Sequence, residues 1–345
     1  MPFQRRKTVK ILGVICAAVT LIIVGVAALL RHPKLAVRLP VASGSLPLPA
    51  PQTTAFHVTG SQTETHVPFT LRGGSIVVDA LINGKPEKCF VDTGCSSVLW
   101  NSRLHLTDQR TGVQSSISDA GGHTSSVQEA LLTRVQIGGL DLHDVISDAV
   151  TSSSFEAEMG PILGNSVFAG TVLTINYHKQ ELIIQPPLRY NVMSRIKYPQ
   201  NVLDFHWINP DLHGMFGVPC FRAKVMTLPA EMTLDTGWVD NSLGLTTSFY
   251  RRLDSQLKAS HSKIRSSTST FALGQALVTT VSGLSSSFAG ITLLSSGTVV
   301  NTLSPPAQAI LGYGFLKNCR TTIDYPDKKI WFEGIPAGQG RSSSK

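Results

Sequence analysis

The chain has 345 residues, enough for two domains of ordinary size and a sizeable core. Its formal net charge of +8 would suit a nucleic-acid-binding protein, but seven of the basic residues precede residue 39 and the first acidic residue is Glu64. From residue 39 onward, 23 basic and 22 acidic residues nearly cancel, which excludes the broad positive surface that nucleic-acid binding needs.

Residues 11–30 form an uncharged, mostly apolar run. As a helix it would be about 30 Å long, which is enough to cross the hydrocarbon core of a bilayer. A cleaved signal peptide is the alternative, but the run is longer than usual for one and no small-x-small cleavage site follows it. We therefore expect residues 1–31 to form a short cytoplasmic N-terminus and a transmembrane helix. The rest of the chain is expected on the non-cytoplasmic side, periplasmic or extracellular.

Residues 32–66 contain five prolines among Ala, Ser, Thr and Gln, a composition that predicts a tether. Short β-rich runs begin at residue 67, and Asn83-Gly84 between two of them predicts a hairpin. Outside the membrane segment we find no long helical periodicity, so we expect an all-β fold.

Two short motifs occur twice in the same order. Asp92-Thr93-Gly94 follows an apolar run, and Asp235-Thr236-Gly237 follows another. Downstream of each, Ile162-Leu163-Gly164 recurs as Ile310-Leu311-Gly312 at nearly the same spacing. Either tripeptide alone would be weak evidence because Asp and Gly are ordinary turn residues. The paired order indicates an internal duplication.

This pattern resembles the retropepsin-like aspartic peptidases, and two copies in one chain resemble the paired lobes of pepsin. The resemblance implies two pseudo-symmetric retropepsin-like β-barrel lobes. Lobe one would comprise residues 67–190 and lobe two residues 216–335, joined by a connector at 191–215 and followed by a flexible tail at 336–345.

The resemblance also implies a mechanism. Two carboxyl groups about 3 Å apart cannot both ionise, so they share one proton and act as an acid and a base towards a bound water. Asp92 and Asp235 would be the catalytic pair. The supporting residues of the two loops would be Thr93, Gly94, Thr236 and Gly237. No cofactor or metal is implied, the substrate would be a peptide or protein, and a monomer would be active because both half-sites lie in one chain.

In this family a glycine-tipped hairpin folds over the substrate as a flap. Gly121 and Gly122 are the candidates in lobe one, and Gly274 is the counterpart in lobe two. An ordinary β-turn remains the alternative for each.

The residue after each Asp-Thr-Gly departs from the pepsin pattern of Ser or Thr: it is Cys95 in lobe one and Trp238 in lobe two. A thiol is a weak hydrogen-bond donor and an indole is bulky, so Trp238 would either fill a substrate pocket or obstruct the site. The cysteines outside the membrane segment are Cys89, Cys95, Cys220 and Cys319. They would form one disulfide per lobe or, as we favour, remain small buried residues. They lack nearby histidines in the sequence, so we predict no zinc site.

Together these features predict a membrane-anchored aspartic endopeptidase. The alternative is a catalytically inactive peptide-binding module that keeps the same cleft.

Overall fold

The computed structural model describes residues 64–151, 159–186, 202–208, 217–260, 262–300 and 307–334, all within one unit, Gln52–Lys345. The membrane segment expected at 11–30, nearly all of the tether and the tail lie outside these residues. No helix within them is long and apolar enough to cross a membrane. Strands make up 61% and helices 10% of the structure, so the expected all-β class is confirmed.

The first copy of the repeat contains β1 (Thr65–Pro68), β2 (Thr70–Arg72), β3 (Ser75–Ile82), β4 (Lys85–Val91), β5 (Val98–Asn101), β6 (Arg110–Ser118), β7 (Thr124–Ile137), β8 (Leu140–Val150), β9 (Ile162–Leu163), β10 (Val172–Asn176) and β11 (Glu181–Gln185). The second contains β12 (Val202–Asp204), β13 (His206–Ile208), β14 (Val218–Val225), β15 (Leu228–Leu234), β16 (Leu243–Thr246), β17 (Ile264–Phe271), β18 (Gly274–Phe288), β19 (Ile291–Val300), β20 (Ala309–Leu311), β21 (Arg320–Asp324) and β22 (Lys329–Glu333). The α-helices are α1 (Asn165–Phe168), α2 (Thr247–Ala259) and α3 (Tyr313–Leu316), and Ser102–Leu104 forms a 3-10 turn.

The two copies have the same sheet topology. One eight-stranded sheet has the order β2-β3-β4-β9-β5-β8-β7-β6, and the other has β13-β14-β15-β20-β16-β19-β18-β17. Every strand thus has a counterpart at the same place in the other sheet. A third, six-stranded sheet, β1-β11-β10-β21-β22-β12, takes three strands from each copy and is symmetric about the β10–β21 pair. The duplication in the sequence is therefore a duplication in the fold.

The hairpin expected at Asn83-Gly84 is confirmed. Ile82 pairs with Lys85 across the turn, and both turn residues have positive φ, 50° at Asn83 and 79° at Gly84. Two positive φ angles match the right-handed twist of the flanking strands, and Asn-Gly adopts them readily. The second strand of this hairpin is β4, which ends at Val91 and so leads directly into Asp92.

Side chains that alternate between buried and exposed along the strands form the core. In β3 and in its counterpart β14, the side chains of the last residues alternate between buried and exposed. The buried side chains of both copies join in one large apolar cluster. Within it, Phe288, Phe315 and Phe332 meet edge to face with ring centroids 5.3–5.7 Å apart, a favourable aromatic arrangement.

Two features differ from the expectations. The segment expected as a connector at 191–215 includes strands β12 and β13, so the second copy begins earlier than the sequence indicates. Helix α2 is also longer than any helix we expected outside the membrane segment. Its N-cap Thr246 accepts a hydrogen bond from the Phe249 N–H, and its buried face is Phe249, Leu253 and Leu257.

The centre of the six-stranded sheet provides a test of how the copies are held together. Thr174 pairs with Thr322, and their buried hydroxyls lie 2.9 Å apart and hydrogen-bond to each other. Thr174→Val leaves the other hydroxyl buried and unpaired, so we expect it to lower the free energy of unfolding by about 1–3 kcal/mol.

Replacing both threonines by valine should cost less than either single change, because no polar group is then left unpaired. Denaturant unfolding of the two single variants and the double variant measures this coupling. Thr292→Val, at an exposed position of β19, is the control and should change little. A double variant that loses the sum of the single losses would contradict the expectation.

Candidate active site

Asp92 and Asp235 occupy equivalent positions at the ends of equivalent strands. The Asp92 N–H donates to the Leu163 carbonyl (3.1 Å), and the Asp235 N–H donates to the Leu311 carbonyl (3.0 Å). The Ile-Leu-Gly segments identified in the sequence thus pair with the strands that deliver the aspartates, since β4–β9 and β15–β20 are both parallel pairs. Within each copy, the two motifs that are distant in sequence are therefore adjacent in space.

Thr93 and Thr236 connect the two aspartate loops by reciprocal hydrogen bonds. The Thr93 N–H donates to Thr236 Oγ1 and the Thr236 N–H donates to Thr93 Oγ1, each at 3.0 Å. Each hydroxyl then donates to a backbone carbonyl of the other copy, Thr93 to Leu234 and Thr236 to Val91, both at 2.9 Å. Both threonines are buried, so water does not compete for these bonds.

Gly94 and Gly237 allow the carboxyl groups to approach the loops. A Cβ atom added at Gly237 would lie 2.6 Å from Asp92 Oδ2, and one added at Gly94 would collide with the Asp235 carboxyl group. Real Cβ atoms do not approach this closely, so only glycine fits at either position. The Gly94 N–H also donates to Asp92 Oδ1 (2.7 Å).

The two carboxyl groups are hydrogen-bonded to each other. Both residues are half-buried. Loss of hydration raises the pKa of both groups, and the pKa of Asp92 is then partly lowered by hydrogen bonds from the Gly94 N–H and from Asp235. The pKa of Asp235 lies well above 3.8 because of desolvation first, then the charge of Asp92 and the hydrogen bond to it. The buried pair therefore retains a proton to higher pH than an isolated carboxyl group would.

Cys95 and Trp238 supply no side-chain hydrogen bond to the aspartates in the structure. The Cys95 thiol donates to the Ser97 carbonyl (3.3 Å), and burial raises its pKa. The Trp238 backbone N–H donates to Asp235 Oδ1 (2.9 Å), while its ring packs with Val300 and Ile310. Its indole N–H is buried without a partner in the part of the chain that the structure describes.

The candidate flap glycines lie at the tips of two hairpins, and these tips touch. Gly121 and Gly122 lie in the turn between β6 and β7, and Gly274 pairs with Phe271 beside the turn between β17 and β18. A Cβ atom at Gly121 would lie 2.7 Å from Phe271 Cδ2. The structure thus brings the candidates of both copies together, although movement over a substrate stays a prediction.

Side chains that the sequence analysis missed hold the tips together. Asp119 Oδ2 accepts from the Leu273 N–H (2.9 Å), and His123 Nε2 lies 3.1 Å from the Gln275 carbonyl oxygen. Asp119 also contacts His123 Nδ1 at 3.1 Å. Asp119 lies beside the glycines in sequence, but no local pattern indicates that its partner is in the second copy.

Asn165 is a second residue that sequence reasoning missed. This fully buried side chain donates to the carbonyls of Thr93 (2.8 Å) and Cys95 (2.9 Å) and so supports the first aspartate loop. Asn165 Oδ1 accepts from the Tyr325 hydroxyl (2.7 Å), which belongs to the second copy. Its position directly after the repeated Ile-Leu-Gly motif is the sequence feature that could have indicated a role near the site.

One group of side chains in the described residues has metal-binding potential, contrary to the expectation that the cysteines lack histidine neighbours. Donor atoms of His206, Cys220 and Glu231 lie within 4.8 Å of one another. Arg222 Nε also lies 3.6 Å from Glu231 Oε1, so ion pairing accounts for the carboxylate without a metal. Cys89, Cys95, Cys220 and Cys319 are all free thiols, and the expectation that they are buried holds for all of them except Cys95, which is half-buried.

No family model matches this chain, and no curated protein sequence matches it.

The raised pKa values make stability depend on pH. Above pH 3.8 the unfolded chain releases a proton that folded Asp235 retains, so the folded state binds more protons. The free energy of unfolding should therefore fall as pH rises from 3.8 through the raised pKa of Asp235, by about 1.4 kcal/mol per unit of pKa shift.

Asp235→Asn removes this titration, so the free energy of unfolding of the variant should fall less as pH rises. Relative to the wild type, the variant should therefore be more stable at neutral pH than at pH 3.8. Denaturant unfolding at a series of pH values measures it. Asp144→Asn, at an exposed carboxylate, is the control and should keep the wild-type slope. An unchanged slope in Asp235→Asn would show that another group causes the pH dependence.

Proposed function

We propose that this protein is an aspartic endopeptidase with two retropepsin-like lobes in one chain. The observation that carries the proposal is the pair formed by Asp92 and Asp235, hydrogen-bonded to each other at the meeting point of two equivalent strands. The repeated eight-stranded sheets and the reciprocal threonine bonds support the paired-lobe reading. As both aspartates come from one chain, the active unit is a monomer.

A single proton on the pair gives its two carboxyl groups separate roles, and we assign the charged form to Asp92 and the protonated form to Asp235. Charged Asp92 accepts a proton from a bound water, and the resulting oxygen nucleophile attacks the carbonyl carbon of the peptide bond. Protonated Asp235 donates its proton to the carbonyl oxygen in the same step. The tetrahedral intermediate then collapses as a proton is returned to the amide nitrogen, and the amine leaves. No group on the enzyme becomes acylated.

A peptide-binding module without turnover is the second candidate. The bulky Trp238 beside Asp235 is the observation in its favour. The packing of the Trp238 ring against Val300 and Ile310, together with the backbone N–H that it donates to Asp235, argues against this alternative. The hydrogen bond from the Trp238 backbone N–H supports the Asp235 carboxyl group, a role that a side-chain hydroxyl has in pepsin-like enzymes.

Replacing either aspartate by asparagine should abolish turnover. Each role needs a carboxyl group that can gain or lose a proton, so Asp92→Asn and Asp235→Asn should each lose several orders of magnitude in kcat, and the double variant little more. Cleavage of a mixed peptide library, with and without a statine-type inhibitor, measures this.

Asp144→Asn should keep wild-type activity in the same assay. Substantial activity in Asp235→Asn alongside an inactive Asp92→Asn would show that the two-carboxylate mechanism is wrong. Peptide binding by the wild type without any cleavage would favour the second candidate.

Activity should follow a bell-shaped pH profile with a mildly acidic optimum. Its two limbs belong to the pair, because the acid limb requires one carboxylate to be ionised and the other limb requires one proton to remain. The Cys95 thiol donates elsewhere and gives Asp92 no hydrogen bond, so the pKa of the charged carboxylate is lowered less than in a site with a hydroxyl donor. A profile of kcat/KM against pH tests this, and a single-limbed curve would contradict it.

We also propose that residues 11–30 anchor the protein in a membrane, with residues 39–345 on the non-cytoplasmic side. Protease added to intact cells should then digest the C-terminal part of the protein. A lysed-cell sample is the control for accessibility. A soluble product beginning near residue 31, or complete protection in intact cells, would contradict the proposal.

A further inference from the structure

Two apolar clusters, one on each copy, extend from the aspartate loops to the hairpin tips. The cluster on the first copy, called pocket one, consists of the buried side chains of Val77, Phe90, Leu99, Val127, Val150 and Ile162. The cluster on the second copy, called pocket two, contains Trp238, Val300 and Ile310. Cys95 packs against pocket one, just as its counterpart Trp238 belongs to pocket two.

The topological equivalence shows how the pockets differ. Leu99 pairs with Ile162 in the first copy, and Gly244 pairs with Ile310 in the second. Pocket two therefore lacks the leucine side chain of pocket one. The Trp238 ring fills that room, because a Cβ atom at Gly244 would lie 3.1 Å from Trp238 Cζ2. The large apolar side chain thus lies on the strand in the first copy, at Leu99, and on the loop after the aspartate in the second copy, at Trp238.

The side chain that closes pocket one comes from the other copy. Leu273, in the turn between β17 and β18, is only 3% exposed and packs among the lining residues of pocket one. In pocket two the corresponding hairpin tip of the first copy contributes only Ala120, beside Phe271. A leucine therefore enters one pocket and a methyl group packs at the other.

The two occupants are held differently. Leu273 lies on a hairpin tip whose polar contacts with the first copy include the bond to Asp119 and the contact between His123 and the Gln275 carbonyl. Separating the two tips breaks these and withdraws the leucine. The backbone of Trp238, in contrast, bonds Asp235 and accepts from the Tyr313 N–H (2.8 Å), so its indole stays when the tips separate.

We propose that pocket one binds a large apolar side chain of the peptide substrate, in the place that Leu273 occupies in the free protein. Trp238 restricts the residue on the other side of the scissile bond to a small side chain. The substrate class is thus a peptide with leucine, phenylalanine or a similar residue on one side and glycine, alanine or serine on the other. This inference rests on the proposed peptide-binding cleft.

Cleavage sites in a mixed peptide library, mapped by mass spectrometry with the full-length protein, test the asymmetry. The wild type should select a large apolar residue on one side only. Trp238→Ala should admit leucine or phenylalanine on the other side and raise kcat/KM for such peptides about tenfold or more, the usual effect of a few methylene groups in a pocket. Trp331→Ala removes a buried indole from the six-stranded sheet and should keep the wild-type selectivity.

Leu273→Ala tests the closing side chain without relying on turnover. In the Asp92→Asn background, it should bind peptides with a large apolar residue several-fold more tightly, because the substrate no longer displaces a leucine. Leu277→Ala is the matched control, as this leucine lies on β18 just after the turn that carries Leu273 and is 74% exposed. Thermal unfolding checks each variant, and Trp238→Leu replaces Trp238→Ala if the alanine variant does not fold.

The outcomes separate the inference from the proposed function. Cleavage with large apolar residues accepted equally on both sides of the bond would overturn the inference and leave the endopeptidase proposal standing. Selective binding by Asp92→Asn, with no cleavage by the wild type, would overturn catalysis and support the pocket assignment. Failure to bind or cleave any peptide would overturn both.

Discussion

The reciprocal hydrogen bonds of Thr93 and Thr236 are the constraint on which the site depends. Each threonine uses its backbone N–H and its hydroxyl across the interface, so neither aspartate loop is satisfied without the other. A buried polar group without a partner costs about 1–3 kcal/mol, so separating the loops is unfavourable. The loops therefore remain together, and desolvation and mutual repulsion of Asp92 and Asp235 are imposed by the fold.

Duplication explains why this arrangement is so regular near the aspartates and less regular away from them. The strands, the glycines and the threonines match in pairs because each pair meets close to the local symmetry axis. At the next layer the copies differ: Asn165 braces the first loop by its side chain, whereas its counterpart Tyr313 contacts the second through its backbone N–H. Fusion of both halves in one chain permits such differences.

Much of this frame could be predicted from the sequence, because the features concerned are local. Asn83-Gly84 dictates its turn, and Asp-Thr-Gly after an apolar run places an aspartate at a strand end. Helix α2 was missed because Phe249, Leu253 and Leu257 form only a short apolar stripe within a β-rich chain. The Asp119 to Leu273 bond depends on packing between distant segments, and no single-sequence pattern contains it.

Differences in sequence between the two copies make the two half-sites chemically unequal. In a symmetric dimer of identical chains the two aspartates have equal environments until a ligand breaks the symmetry. Here the Trp238 N–H donates to Asp235 and the Gly94 N–H donates to Asp92, so the two carboxyl groups have different hydrogen-bond partners even without a ligand. In the proposed mechanism, this difference in hydrogen-bond partners distinguishes the acid from the base before a substrate binds. In the same proposal, the direction of a bound peptide is set by the apolar clusters beside the two aspartate loops, where the copies differ most.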